Sequence, residues 1–389
     1  MTDQINESDS ERLAAVAREW TRLGVTGFGG PPAHVALLRR LVARHEWMDA
    51  HEFEDANAAC AMLPGPASTQ LAIFCAYRVA GPAGAVAGGL GFVAPAVVLV
   101  LALSVLFLSH GAPLWIRGAG AGAGAAVAAV AVHAARGLIG PSFQRVRADR
   151  SGTIAWLAYL LAGAAAVLVI APALVVVLLG CGLAELVRRR PARGLTSLHA
   201  GPLVVSAAAV SAGGIAALAW TAFKVGALSF GGGFVIIPLM QGDAVHTFHW
   251  MSNSQFLNAV ALGQVTPGPV VATIAAVGYA AHGLSGGLLA AAVAFAPSFS
   301  FILLLGGRFE RLRQNVRARA FLDGAGPAAI GAILGGAIAL GGALSETWQY
   351  PVLAAAAVAL LALRRGVVQT LLGAGVVGVI AALAGAPLR

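Results

Sequence analysis

Two basic residues carry the first chemical argument. Lys224 is the single lysine of the chain, and the other 24 of its 25 basic residues are arginine. It lies in the apolar run 217–226. Arg22 stands 202 residues earlier, at the matching place of a second copy of the same pattern. A cation inside an apolar helix costs a few kcal/mol, so it faces a cavity or a partner, or else it snorkels to the interface. Each cation precedes a glycine break: Phe28-Gly29-Gly30 after Arg22, and Phe230-Gly231-Gly232 after Lys224. Pro31-Pro32 follows the first break and predicts a helix start there, with His34 in its first turn. A helix start offers free N–H groups and a positive dipole end, which together bind anions. Packing glycines beside a core histidine is the alternative. A basic residue one to two turns upstream favours an anion site.

The same logic recurs at two Pro-Gly-Pro turns, Pro64-Gly65-Pro66 and Pro267-Gly268-Pro269. Each ends one helical arm and begins another. Ser68, Thr69 and Gln70 follow the first turn and can donate hydrogen bonds to an oxyanion or cap the new helix. Two such tips meeting near mid-membrane would bring up to four helix N-termini around one point, a cage for a small tetrahedral dianion. Fixed dipoles plus Arg22 and Lys224 would have to offset the desolvation of that dianion.

These segments are positioned by a repeat. Both copies run from the basic residue through the glycine break to Trp-Met, at Trp47 and Trp250. Both then reach the Pro-Gly-Pro turn and a further proline, Pro95 or Pro297. The offset moves only from 202 to 203 between Phe28/Phe230 and Pro64/Pro267. Matched, helix-breaking segments in two halves of an apolar chain point to a transporter site built from discontinuous helices.

Composition sets the class. The chain of 389 residues is 59% hydrophobic and 11% charged, with a mean hydropathy of +0.83. A soluble domain carries roughly 25% charged residues. The chain is therefore expected to be an all-α polytopic membrane protein. Its net charge of +9 comes from arginines clustered in short loops, the positive-inside pattern, which argues against nucleic acid. The three cysteines, Cys60, Cys75 and Cys181, have no metal spacing and read as small core residues. The polar, acidic N-terminus does not read as a signal peptide, which predicts that it stays in the cytoplasm.

Apolar spans are expected at about 84–108, 115–136, 152–170, 172–187, 203–223, 284–307, 322–344, 349–363 and 366–386. Short arms at 54–63 and 66–80 flank the first Pro-Gly-Pro turn, and arms at 254–265 and 269–282 flank the second. Arms of that length suit re-entrant hairpins, tolerable only where buried in protein or lining a cavity. Basic residues follow the span near 136 in the first half but the span near 307 in the second, so equivalent loops fall on opposite sides. The expected organisation is an N-terminal transporter repeat (1–187), a cytoplasmic linker (188–202) and a C-terminal, inverted-topology repeat (203–389). Nine crossings and two hairpins put the N-terminus inside and the C-terminus outside. Asp243, His246 and His249 read as outer-loop residues, and Glu52, Glu54 and Asp55 as an interfacial stretch. His34, Asp243, His246, His249, Glu54 and Asp55 are the candidate proton carriers, with none singled out. There is no nucleotide loop, no His-Glu-x-x-His and no Gly-x-Ser-x-Gly, so neither an enzyme nor a cofactor or metal is expected.

These motifs resemble the chromate ion transporter family in its long, two-domain form. The resemblance is carried by Arg22 to His34, Trp47 to Phe53, Leu63 to Gln70, Phe230 to Gly233 and Thr266 to Pro269, and it covers nearly the whole chain. It implies efflux of chromate, with sulfate as a mimic, across the inner (plasma) membrane, chromate resistance and no catalytic residue. A homodimer is compatible with it. It also implies substrate-binding positions at Arg22, Gly29, Gly30, His34, Pro64, Gly65, Pro66 and Gln70, and at Lys224, Gly231, Gly232, Pro267, Gly268 and Pro269. The chain departs from the pattern at Cys60-Ala61, where the second half has Gly263-Gln264. Three readings remain open: secondary export of an oxyanion, an anion channel using the same cage, and a lipid-phosphate carrier or membrane enzyme.

Overall fold

The computed structural model describes residues 9–61, 63–108, 111–147, 149–169, 174–189, 213–229, 233–305 and 315–388. Within them the chain is helical, with seven principal helices in each half. The first half holds α1 (Asp9–Thr26), α2 (Gly30–Arg44), α3 (Ala50–Cys60), α4 (Ala67–Phe107), α5 (Leu114–Gln144), α6 (Arg150–Val169) and α7 (Leu174–Arg188). The second holds α8 (Ile215–Ala227), α9 (Ile236–Gln241), α10 (Asn253–Val265), α11 (Thr273–Leu305), α12 (Val316–Gly342), α13 (Gln349–Ala357) and α14 (Val367–Leu383). A π-helical turn, Gly242–Thr247, extends α9, and a second, Val358–Ala362, extends α13. The part of the expected span 203–223 that precedes residue 213 lies outside the described residues, as do Gly231, Gly232 and most of the linker.

Among the described residues, five helices are long and apolar enough to cross a membrane: α4, α5, α6, α11 (counted from Val270) and α12. Shorter apolar helices lie at Ile215–Ala227, Gln349–Ala362 and Val367–Leu383. Large aliphatic side chains such as Val98, Leu161, Val169, Leu304 and Ile380 are exposed along these helices, as lipid contact requires. This is a polytopic, all-helical membrane protein.

At 41 residues, α4 would be about 60 Å long if straight, twice the hydrocarbon thickness. It is not straight. Ala80 (φ −136°, ψ 28°) and Gly81 (φ 61°, ψ −154°) leave helical geometry. His282 (φ −145°, ψ 31°) and Gly283 (φ 63°, ψ −155°) do the same in α11. At both places the chain reverses. A Cβ added at Gly84 would lie 2.4 Å from the Ala76 carbonyl oxygen, and one at Gly278 would lie 2.5 Å from that of Gly286. Eight residues of straight helix would separate such groups by about 12 Å. Each long helix is thus a short arm folded back on a long arm, and the fold is copied 202 residues apart.

The halves interlock reciprocally. In the first half α1 packs on α4; in the second α8 packs on α11. Across the halves α5 packs on α13 and α14, while its counterpart α12 packs on α6 and α7. The long arms of α4 and α11 meet each other: Gly89 faces Phe299 and Gly287 faces Leu101. As one residue number rises the other falls, so these equivalent arms run antiparallel. Backbones touch at several of the helical glycines. A Cβ at Gly163 would sit 1.9 Å from the Ala328 carbonyl oxygen, and one at Gly331 would sit 1.8 Å from that of Leu160. Without a hydrophobic force between helices in lipid, such close contact is what holds them together.

The two turn glycines give a prediction with an internal control. Their φ/ψ region is essentially reserved for glycine, yet a Cβ at Gly81 or Gly283 would meet no atom within 4 Å. Gly81→Ala and Gly283→Ala should each lower stability by roughly 1–3 kcal/mol through backbone strain alone. Gly331→Ala should cost more, because its Cβ collides with backbone. Thermal midpoints of the detergent-solubilised variants test this; equal midpoints for Gly81→Ala and the parent chain would contradict the turn geometry.

Candidate functional site

The first glycine break folds as its sequence demands. Gly29 takes φ 105° as the N-cap, and Pro31 and Pro32 occupy the first turn of α2, where their missing N–H groups cost nothing. His34 lies one turn in, 1% exposed. Its Nε2 is 2.9 Å from the Gly27 carbonyl oxygen and its Nδ1 is 3.4 Å from Ser68 Oγ. The edge-on ring of Phe92, 5.1 Å away, closes its remaining side.

The Pro-Gly-Pro turns separate α3 from α4 and α10 from α11, with Gly65 at φ 123° and Gly268 at φ 101°. Gln70 Nε2 donates to the Pro64 carbonyl at 2.8 Å and pins the first turn. Each turn docks on the opposite half. A Cβ at Gly65 would lie 3.4 Å from both the Gly226 carbonyl oxygen and Ser298 Oγ. A Cβ at Gly268 would lie 2.7 Å from Ala96 Cβ and 3.8 Å from the Gly24 carbonyl oxygen. Gly24 and Gly226, like Ala96 and Ser298, are equivalent positions of the repeat. The Gly268 N–H also donates to the Gly27 carbonyl at 3.0 Å.

A cavity of about 480 Å³ opens beside this crossing. Gly29, Gly30 and Ser68 reach it from the starts of α2 and α4, Phe234 and Gln264 from the second half, and His133 from α5. Several buried polar atoms in and around the crossing have no hydrogen-bond partner among the described residues: Thr69 Oγ1, Gln70 Oε1, Ser229 Oγ, Gln264 Nε2 and Ser298 Oγ. Buried polar groups in folded proteins are nearly always paired, so such a concentration needs an explanation. Three hydroxyls and an amide N–H can donate; Gln70 Oε1 can only accept.

The structure distributes the residues expected from sequence unevenly. Gly29, Gly30 and Ser68 line the cavity, with His34 directly behind Ser68. Pro64, Gly65 and Pro66, and Pro267, Gly268 and Pro269, build the crossed turns. Two helix starts, not four, face the cavity among the described residues. Arg22 lies on the exposed side of α1. Lys224 is already paired: its Nζ is 2.5 Å from Asp243 Oδ2, which also accepts from Thr221 Oγ1 at 2.8 Å. Lys224 and Asp243 are 16% and 15% exposed. Asp243 therefore sits in the helical extension of α9 and faces α8, where the sequence suggested an outer loop; His246 shares that extension. In the first half the tie between α1 and α2 has the opposite polarity, Arg44 to Glu19 at 3.0 Å. Glu52 pairs with Arg78 and Glu54 with Arg39 on the flank of α3.

Sequence reasoning did not reach His133, Gln264, Ser229 or Ser298 as site residues. His133 sits in a long apolar run with no motif around it, and Ser298 follows the repeat landmark Pro297 at a position where the first half carries Ala96. Gln264 could have been found from its place one turn before Pro267, where the first half carries Ala61.

Comparison with known proteins supplies the family. The profile described as chromate transporter matches residues 14–186 and 216–381, one segment in each repeat. A chromate transport protein of Cupriavidus metallidurans is 31% identical over 348 residues, covering 86% of this chain and 84% of that protein. A probable chromate transport protein of Synechococcus elongatus is 30% identical, covering 85% and 84%. A chromate transport protein of Pseudomonas aeruginosa is 32% identical, covering 80% and 77%. No solved structure matches the chain. On the strength of a match that spans both repeats, the chain belongs to the chromate transporter family.

Proposed function

We propose that the protein is a secondary transporter that exports chromate across the inner membrane and so confers resistance, with its site where the two Pro-Gly-Pro turns cross. The observation that carries this reading is the set of unpartnered buried donors, Thr69, Ser229, Ser298 and Gln264, gathered around that crossing. Tetrahedral oxyanions offer only acceptors, and chromate and sulfate share charge and shape, so sulfate is expected to compete. Family membership and the names of the relatives support chromate as the cargo.

The halves are inverted repeats in this reading, and the short arms beside each Pro-Gly-Pro turn are re-entrant. Support comes from the antiparallel long arms of α4 and α11 and from the reciprocal packing of α5 and α12. In the same reading the arginine-bearing loops face the cytoplasm, with the N-terminus inside and the C-terminus outside. A dianion leaving a negative-inside cell gains about 2.3 kcal/mol per charge per 100 mV, so the potential alone can drive export.

The test is chromate uptake into inverted membrane vesicles at set potentials. Uptake should rise as the interior is made positive and fall when sulfate is in excess. No uptake by inserted, intact protein would refute the reading; conduction far faster than an alternating cycle would make it a channel.

Two sets of substitutions follow. Gln264→Ala and Ser298→Ala should each weaken the oxyanion by roughly 1.5–3 kcal/mol, tenfold or more in KM, with little loss of stability, because neither side-chain end has a partner to lose. An unchanged KM in both would remove these donors from the site. Lys224→Ala alone should destabilise the protein, since it leaves Asp243 half-buried and unpaired. Lys224→Met combined with Asp243→Asn should restore folding, and transport in that double variant then separates the two roles of Lys224. Recovered transport makes the pair structural; its absence in a stable protein assigns Lys224 to the transport step.

A further inference from the structure

We propose that His34 takes up a proton when an oxyanion enters the cavity, with Ser68 as the hydroxyl that links the two events. The inference rests on the oxyanion reading of the site given above.

Geometry fixes the hydrogens. Nε2 of His34 faces the Gly27 carbonyl at 2.9 Å, and a carbonyl oxygen can only accept, so Nε2 carries a hydrogen. In the neutral ring Nδ1 is then a bare lone pair, and its partner at 3.4 Å, Ser68 Oγ, must donate to it. Ser68 has one hydrogen. While that hydrogen is held by His34, the hydroxyl turns only lone pairs toward the cavity it lines, and lone pairs repel an oxyanion. When the ring gains a proton from solvent, Nδ1–H becomes the donor and Ser68 the acceptor. The hydroxyl hydrogen is then free to point into the cavity, with a positive charge behind it. Both changes favour the anion. By linkage an anion in the cavity favours the proton to the same degree.

The surroundings leave this role to His34. Helix α2 packs against α1, α3 and α4. The ionisable groups of those helices nearest to α2 are engaged elsewhere: Glu19 with Arg44, Glu54 with Arg39, Asp55 with His51, and Glu52 with Arg78. Arg18 and the more N-terminal charges of α1 lie about two turns or more from Gly27. Arg22 and Arg40 are on exposed faces. The imidazole's hydrogen-bond partners among the described residues are Gly27 and Ser68. The Gly27 carbonyl also accepts from Gly268 of the opposite half, so the ring sits against the crossed turns as well as the cavity. His133 is the other titratable side chain on the cavity wall, so a variant there tests the competing assignment of the proton.

The experiment is calorimetric titration of the purified full-length protein with sodium sulfate, in two buffers of different ionisation heat, at several values between about pH 5 and 8 where a histidine titrates. Sulfate stays a dianion over that range, whereas chromate itself titrates within it. The parent protein should take up part of a proton per sulfate bound, and its affinity should fall with rising pH by up to about tenfold per unit. His34→Gln keeps a donor for Gly27 and an acceptor for Ser68, and should bind with no proton uptake and no pH slope. Ser68→Ala should bind more weakly and lose most of the coupling. His133→Gln should keep the proton uptake per sulfate bound, whatever its effect on affinity. His34→Asn is the second variant should His34→Gln fail to fold. Proton uptake that survives in the His34 variants, or that disappears in His133→Gln alone, overturns the proposal. Sulfate bound by the parent protein without proton uptake also overturns it and leaves the oxyanion site standing. Failure of the parent protein to bind either sulfate or chromate at any pH removes the site itself, and this inference with it.

Discussion

A helix broken inside apolar surroundings exposes backbone N–H and C=O groups that lipid cannot satisfy, and the whole arrangement follows from how they are satisfied. Each half supplies what the other half's break lacks. The Gly268 N–H, in the second Pro-Gly-Pro turn, finds the carbonyl of Gly27 at the end of α1. Gly65, in the first, lies against the carbonyl of Gly226 near the end of α8. Neither turn is complete within its own repeat, so the crossing exists only in the assembled molecule. This is why the helices beside it carry glycine and alanine on their contact faces, and why equivalent long arms run antiparallel past one another. A cavity at such a crossing is lined by two helix starts that have free N–H groups to offer.

The repeat governs the backbone much more strictly than the side chains. Gly81 and Gly283 agree to within 2° in φ and 1° in ψ. The polar groups of the crossing repeat at one position, Gln70 and Thr273, and not at the others. Ser68, Thr69 and Gln70 in the first half correspond to Val271, Ala272 and Thr273 in the second; Ser229, Gln264 and Ser298 in the second correspond to Gly27, Ala61 and Ala96 in the first. A two-fold backbone thus carries an unequal set of polar side chains, three from each half, in and around the crossing. Such a division suits one ligand at the interface better than two equivalent ligands in separate halves.

How much of this was legible in the sequence follows from the range of each interaction. Helix starts are local, so Pro31-Pro32 and the two Pro-Gly-Pro turns announced α2, α4 and α11 directly. Composition announced the membrane, and the repeat announced two matching halves. The reversals at Gly81 and Gly283 fall where the expected arms (66–80 and 269–282) end and the next spans begin, but the packing of each short arm back on its long arm is a contact that no local pattern states. Pairings across nineteen residues, such as Lys224 with Asp243, cannot be read from a pattern that ends at the next glycine break. His133 was beyond reach for the same reason, since nothing within α5 shows that its face meets the cavity.

The neutralised cations bear on how such a site could release its cargo. A binding site must hold a dianion well enough to admit it and weakly enough to let it go. A free lysine at the centre would deepen the well for a doubly charged ligand, and a dianion would leave it slowly. In this fold Lys224 is balanced by Asp243, and Glu19 by Arg44, so both ties between the helices flanking the glycine breaks are locally neutral. In the proposed reading, the attraction for an oxyanion then rests on hydroxyls, an amide and helix starts, each worth a modest amount and each able to be turned away. Ser68 is the clearest case, because its single hydrogen has two competing acceptors, the imidazole behind it and the anion in front. A site built from redirectable dipoles can change its affinity without moving a charged side chain through apolar surroundings, and in a chain with 11% charged residues that is the physically cheaper way to alternate between holding and releasing.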